Sequence, residues 1–282
     1  MRLFLLLLLL PFSLLADDDR FADVTIERTH LAESVYMLTG AGGNIGVSAG
    51  PDGVLIIDDQ FAPLAEKIAA SVADVADADV KYIVNTHYHG DHTGGNAWFK
   101  QHHHATVFAH DNVRNRLAND KEQHQDALPV VTYEEGVKFH FNGDTIRVMH
   151  LPAGHTDGDS VVWFEKAGVL HTGDLFFEGR FPYIDLDAGG TVAGYIANVE
   201  RLISMLEDDI QIISGHGKLA TRADYQKSLD MMKETAAFVL TQKRAGLSLE
   251  KLIEQGLDDK WKDWSWNFIT EEKWITTLYK GQ

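Results

Sequence analysis

The sequence predicts an α+β fold of four layers, an αββα sandwich in which two sheets pack face to face with helices outside. Three observations carry that expectation. Short β-rich runs cluster twice along the chain, each cluster is followed by helical periodicity, and no Pro-, Gly- or Ser-rich linker separates the two series. The order fits two similar halves sharing one core, so residues 17–282 are read as one domain with C-terminal helices.

The elements follow in order. Strands are expected over Ser34 to Leu38 and Asn44 to Ala49, then, after the turn Pro51-Asp52-Gly53, over Val54 to Ile57, which runs into Asp58-Asp59. From Pro63 to Val75, Leu64, Ile68, Ala69 and Val72 recur at helical spacing, and Val80 to Val84 reads as a buried strand ending at Asn85-Thr86. The second series gives strand Thr106 to Ala109, helix Asp111 to Asn119, and strands Val137 to His140, Thr145 to Leu151, Ser160 to Phe164 and Val169 to His171. Helix Val192 to Leu206, strand Ile210 to Ile213, and helices Thr221 to Arg244 and Ser248 to Gln255 complete the chain.

Composition narrows the function. The 282 residues include no cysteine, which excludes thiol catalysis and disulfide staples, and a net charge of −17 argues against nucleic acid as a partner. Arg2, the apolar run Leu3 to Leu15, Ala16 and then Asp17-Asp18-Asp19 form a signal-peptide pattern, with cleavage expected after Ala16. At 13 residues the run is shorter than the ~20 that a spanning helix needs. The mature chain is therefore expected outside the cytoplasm, periplasmic or secreted, with no membrane association after cleavage.

The most informative segment is His87-Tyr88-His89-Gly90-Asp91-His92, which sets three imidazoles and a carboxylate directly after a strand end. Imidazole and carboxylate are zinc ligands, and a loop leaving a strand can aim alternate side chains at one ion and adjacent ones at another. Three later segments share one form, an apolar strand ending in Gly beside a ligand type: Leu151 to His155, Leu170 to Asp174 and Ile212 to Gly217. Each glycine is expected to let the backbone turn sharply next to an ion.

With Asp58 after its own strand, these motifs stand in an order that resembles the metallo-β-lactamase superfamily of hydrolases over about Val35 to Gly217. The resemblance implies that His87, His89 and His155 hold one metal ion, that Asp91, His92 and His216 hold a second, and that Asp174 bridges them. Asp58 would orient the ligand loop by hydrogen bonds. His171 would either support Asp174 or simply pack as a strand histidine. Some β-lactamases of the family carry Cys at the position of Asp174 and a substrate-binding Lys three residues on, where this chain has Phe177; the closer likeness is to the glyoxalase-II-like branch. The basic residues that thioesterases of that branch often carry near their C-terminal helices have no evident counterpart.

The implied chemistry is that of a dinuclear zinc hydrolase. Two Zn²⁺ supply hydroxide at neutral pH, Asp91 serves as the catalytic carboxylate, and the substrate is an ester, thioester or lactam, with β-lactam cleavage included. Iron or a mixed metal pair is the alternative cofactor. The rival functions are an iron sulfur dioxygenase using His87, His155 and Asp174, and a metal-binding protein without activity.

Other features have plainer readings. His102-His103-His104 is read as solvated surface following a helix, and Asp208-Asp209 and Asp258-Asp259 as exposed charge. Trp261, Trp264, Trp266 and Trp274 are expected to pack on the sandwich, with a lid as the alternative. The segment Phe176 to Tyr183 should overhang the metals. Arg180 there would anchor the carboxylate of a small anionic substrate or else pair with Asp185 or Glu178, while Phe176, Phe177, Phe181 and Tyr183 offer apolar surface.

Overall fold

In the computed structural model, which describes residues 19–120 and 125–281, alternation along the strands decides which layer each side chain joins. The expected leader over residues 1–16 lies outside the described residues. The first sheet runs in sequence order: β1 (Glu27–Ala32), β2 (Val35–Thr39), β3 (Ile45–Gly50), β4 (Gly53–Ile57), β5 (Val80–Val84), β6 (Thr106–His110) and β7 (Val131–Tyr133). Neighbours are antiparallel as far as β4 and parallel from β4 to β7. The second sheet contains β8 (Gly136–Phe141), β9 (Asp144–His150), β10 (Ser160–Phe164), β11 (Val169–His171), β12 (Gln211–Ile213) and β13 (Leu219–Thr221), in the order β13-β12-β11-β10-β9-β8.

The helices are α1 (Ala65–Ala73), the single turn α2 (Gly90–Thr93), α3 (Asn96–His103), α4 (Asp111–Asn119), α5 (Val192–Met205), α6 (Arg222–Arg244), α7 (Leu249–Gln255) and α8 (Glu271–Lys280). Along β4, Leu55 and Ile57 face the other sheet and meet Val148, Val162 and Phe164. Val54 and Ile56 point the opposite way, onto Ile68 and Val72 of α1 and Phe99 of α3. The second sheet repeats the pattern, with Val162, Val169 and Ile213 turned inward and Val161, Leu170 and Ile212 turned onto Tyr195 of α5, Met232 of α6 and Trp274 of α8. Period-two alternation between two apolar faces gives the continuous hydrophobic runs seen in the sequence and produces the expected αββα sandwich.

Several elements have no expected counterpart. Strand β1 is mostly exposed and carries no apolar alternation, and β7 and β13 are only three residues each. The triple histidine does not follow a helix: His102 and His103 form the last turn of α3, and His104 caps it in the left-handed conformation at φ 55°. Among the described residues no helix is long and apolar enough to cross a membrane.

Two parallel pairs prepare the site. Strands β4 and β5 run side by side, as do β11 and β12, which α5 connects. Their C-terminal ends hand the chain to loops that begin at Asp58, Asn85, Thr172 and Ser214, and the turn between β9 and β10 adds His155. Loops at the carboxyl ends of parallel strands are free of ladder hydrogen bonds and can carry convergent side chains.

Candidate metal centre

The residues read as ligands converge in two adjoining groups. His87, His89, His155 and Asp174 form one and Asp91, His92 and His216 the other, with the potential ligand atoms of each group all within 4.8 Å of one another. Asp174 lies between them: Oδ2 is 3.7 Å from Nε2 of His87 and 3.5 Å from Nε2 of His155, and Oδ1 is 3.1 Å from Nε2 of His92 and 3.4 Å from Nε2 of His216. Oδ2 of Asp91 lies 3.3 Å from Nε2 of His216 and 3.7 Å from Nε2 of His92.

Hydrogen bonds behind the rings fix their tautomers. Nδ1–H of His92 donates to Asp58 Oδ2 at 2.7 Å, and Nδ1–H of His155 donates to the carbonyl of Tyr183 at 2.8 Å. Nε2–H of His89 donates to Asp185 Oδ2 at 3.0 Å. The Thr86 hydroxyl donates to Asp58 at 2.8 Å and so receives Nδ1–H of His87, 3.0 Å away. Each imidazole then turns its other ring nitrogen toward the shared space.

Nε2 of His87 and Oδ1 of Asp174 are buried without a hydrogen-bond partner, and the two bare nitrogens of His155 and His89 stand only 2.9 Å apart. Lone pairs so placed repel one another unless a cation lies among them. The donor set of imidazoles and carboxylates fits zinc or another borderline divalent ion.

The electrostatics divide the rings into two pairs. Burial holds the His87 ring well below its ordinary pKa and lowers that of His155 to about 4, so both rings are neutral at pH 7. Burial also opposes charge on His92 and His216. The carboxylates outweigh it, holding His92 well above the ordinary value and raising His216 to about 9. Burial favours the neutral acid at Asp174, yet His92, His216 and His87 keep that carboxyl well below the usual range.

Local structure explains the placement. Asp58 is fully buried and has φ 63°, a left-handed conformation that Asp tolerates better than most residues; its Oδ1 accepts the Thr86 amide at 2.7 Å. Gly173 turns the chain at φ 51°. Gly215 serves a different need from the sharp turn expected of it, because a Cβ there would lie 2.1 Å from Oδ1 of Asp174. His171 is buried in β11, where its Nδ1 accepts the Gly173 amide at 3.1 Å and its Nε2–H donates to the Asn44 carbonyl at 3.0 Å; its hydrogen bonds go to the backbone and not to Asp174.

Three contributors were not anticipated. Asp185 accepts from His89 and, at 2.8 Å, from the Tyr88 hydroxyl. Thr86 links Asp58 to His87. Asp159 holds the turn bearing His155, accepting the His155 amide at 2.7 Å and the Thr156 hydroxyl at 2.5 Å. Thr86 and Asp159 adjoin ligand motifs in sequence, a signal that could have found them. Asp185 has none, since only folding brings it to His89.

A cavity of about 1180 Å³ opens over the two groups, lined by Asp91, Asp174 and His216 below and by Phe177, Tyr183 and Trp266 along one wall. Arg180 lines it too, and the expected alternative pairing with Asp185 or Glu178 does not form. Its guanidinium lies over the Trp266 ring, 5.3 Å from the centroid. Phe176 and Phe181 turn away into the core, against Tyr225 and Trp274. Trp261, Trp264 and Trp274 are buried as expected, whereas Trp266 forms part of the cavity wall.

A family model described as the metallo-beta-lactamase superfamily matches residues 35–216. The chain belongs to the metallo-beta-lactamase superfamily. It is accordingly a metallo-hydrolase by family, and its His/Asp cluster is the metal-binding region. The chain is 28% identical over 175 residues to a hydroxyacylglutathione hydrolase of Haemophilus influenzae, covering 58% of this chain and 81% of that protein. It is 31% identical over 113 residues to a hydroxyacylglutathione hydrolase of Methylococcus capsulatus, covering 39% of this chain and 40% of that relative, so it spans less than half of the latter. A metallo-beta-lactamase structure from Pontibacter korlensis superposes with a TM-score of 0.65 at 19% identity, covering 74% of this chain and 99% of that one; at such identity the likeness is one of fold.

Proposed function

We propose that this metallo-hydrolase is a dinuclear zinc enzyme that cleaves ester, thioester or lactam bonds, β-lactams included. The observation that carries the reading is the convergence of five imidazoles and two carboxylates in two adjoining groups with Asp174 between them, the rings of His87, His89, His92 and His155 each held by a hydrogen bond on the far side. His87, His89 and His155 would hold one ion and Asp91, His92 and His216 the other, with Asp174 shared. Bound there, zinc supplies a Lewis acid for the scissile carbonyl and brings the pKa of a water toward neutrality.

The chain's own residues do the rest. Burial favours a neutral Asp91, but His92 and His216 hold its carboxyl below the ordinary value, so it is ionised and can take the proton of the attacking water. The same carboxyl returns that proton to the leaving group. The aromatic wall of Phe177, Tyr183 and Trp266 keeps bulk water from one side of the reacting bond. Two relatives that are hydroxyacylglutathione hydrolases support a thioester as a candidate substrate.

The test is elemental analysis of protein purified without added metal, followed by a hydrolysis panel of aryl esters, lactones, S-acyl-glutathiones, β-lactams and phosphodiesters. Two zinc per chain and turnover of an acyl substrate are expected. One iron per chain with oxidation of a persulfide would favour the dioxygenase reading instead, and activity confined to phosphodiesters would overturn acyl cleavage. We also propose export to the periplasm or beyond; N-terminal sequencing of the mature protein should begin near Asp17, and an intact Met1 would contradict it.

A further inference from the structure

Helix α5 carries two polar side chains on a face otherwise built for the core. Its buried residues are Val192, Tyr195, Asn198, Val199, Leu202 and Ile203, and the polar atoms of Tyr195 and Asn198 would destabilise that face if they lacked partners. Each finds one on a different ligand loop. The Tyr195 hydroxyl donates to the carbonyl of Asp174 itself at 2.8 Å, and Nδ2–H of Asn198 donates to the carbonyl of Pro152, three residues before His155, at 2.6 Å.

The grip on the His155 loop continues at the start of the helix. The Thr191 amide donates to the Gly154 carbonyl at 2.9 Å and the Thr191 hydroxyl to the Ala153 carbonyl at 3.2 Å. Gly194 permits the approach, because a Cβ there would lie 1.9 Å from the Ala153 carbonyl oxygen. On the other loop, the carbonyl next to that of Asp174 belongs to Leu175 and accepts the hydroxyl of Tyr225 from α6 at 3.1 Å. Side chains three residues apart on a helix share one face at a fixed spacing, so α5 sets the separation of the two loops. Oδ2 of Asp174 and Nε2 of His155 consequently stand 3.5 Å apart, near the ~3.4 Å between two ligands of one tetrahedral zinc.

We infer that α5 is a splint that fixes the spacing of His155 and Asp174, with Tyr195 and Asn198 as positioning residues for the ion those two ligands share. The inference rests on the proposed ligand set, but the grip itself can be read on metal-free protein.

The experiment compares full-length wild type with Tyr195→Phe, Asn198→Leu, the double variant and Tyr225→Phe. Tyr225→Phe removes an equally buried hydroxyl from the neighbouring carbonyl, and so reports the loss of a buried hydrogen bond by itself. Both tyrosine variants should lower Tm alike. In cobalt titrations followed by visible absorption, Tyr195→Phe should weaken binding about tenfold and change the band, whereas Tyr225→Phe should stay within about twofold of wild type. Asn198→Leu should weaken binding by less, since Thr191 still holds its loop, and the double variant should lose little more than Tyr195→Phe, because the spacing is already released. Equal effects of the two tyrosine variants on cobalt binding, or additive losses in the double variant, would overturn the splint. Hydrogen exchange on the metal-free proteins should quicken over residues 172–176 in Tyr195→Phe and over 151–159 in Asn198→Leu; exchange unchanged in both would overturn the splint whatever the metal result. If wild type binds no cobalt, the metal-centre reading fails, and the exchange measurement alone decides whether α5 holds the two loops.

Discussion

A single oxygen of Asp58, Oδ2, lies 2.7 Å from Nδ1 of His92 and 2.8 Å from the Thr86 hydroxyl that in turn receives His87. One buried carboxylate thus orients an imidazole from each of the two groups. Asp58→Asn keeps the left-handed backbone, which Asn also tolerates, but exchanges charge for an amide. Metal affinity should fall about 10- to 100-fold in a competition titration against a chelator. Unchanged affinity would reduce Asp58 to a packing residue.

Asp91→Asn removes the proton acceptor and retains the shape of the side chain. Turnover should drop by about 10²- to 10⁴-fold with the far-UV circular dichroism spectrum intact. His103→Ala serves as the comparison, because that ring faces Asp79 at 3.0 Å on the far side of α3 and touches neither group. It should leave both zinc content and turnover within about twofold of wild type. Loss of zinc in His103→Ala would mean that the histidines have been divided wrongly.

Asp185 holds His89 from behind, and Tyr88 shares that carboxylate. Asp185→Asn should weaken the ion held by His87, His89 and His155 about 10- to 100-fold, while Tyr88→Phe, which removes one hydrogen bond and leaves the carboxylate, should do so by less. Cobalt substitution followed by visible absorption reports each variant without reference to activity. Equal effects of the two variants would argue against a direct role for the carboxylate.

Away from the centre, His110 and His150 stack with ring centroids 3.7 Å apart. Burial lowers both pKa values, and the charge of His150 lowers that of His110 further, against the opposing influence of Asp111 and Asp157. The folded chain therefore takes up these protons at lower pH than the unfolded chain does. Stability is lost as pH falls through the unfolded value of about 6.5. Replacing one ring, His150→Gln, should flatten the fall of Tm between about pH 7 and 5; an identical slope would remove the pair as the cause.

Much of this protein was legible one residue at a time. The run Val54 to Ile57 announces a strand covered on both faces, Val80 to Val84 announces the strand beside it, and the hexapeptide from His87 to His92 announces a metal loop, because local pattern and ligand spacing survive any fold that joins them. The sequence also supplied the order of motifs that marks the family. It could not show β1, whose exposed residues carry no alternation, nor that Phe177 faces the cavity while Phe176 and Phe181 enter the core.

Only tertiary structure brought Asp185 behind His89, set Arg180 on Trp266 instead of on an acid, and laid the segment of Lys218 beside that of Glu178. The physical reason is range. Periodicity and turn chemistry act over a few residues, whereas the hydrogen bonds that choose a tautomer and the contacts that leave a cation unpaired join segments whose proximity exists only once two sheets have packed.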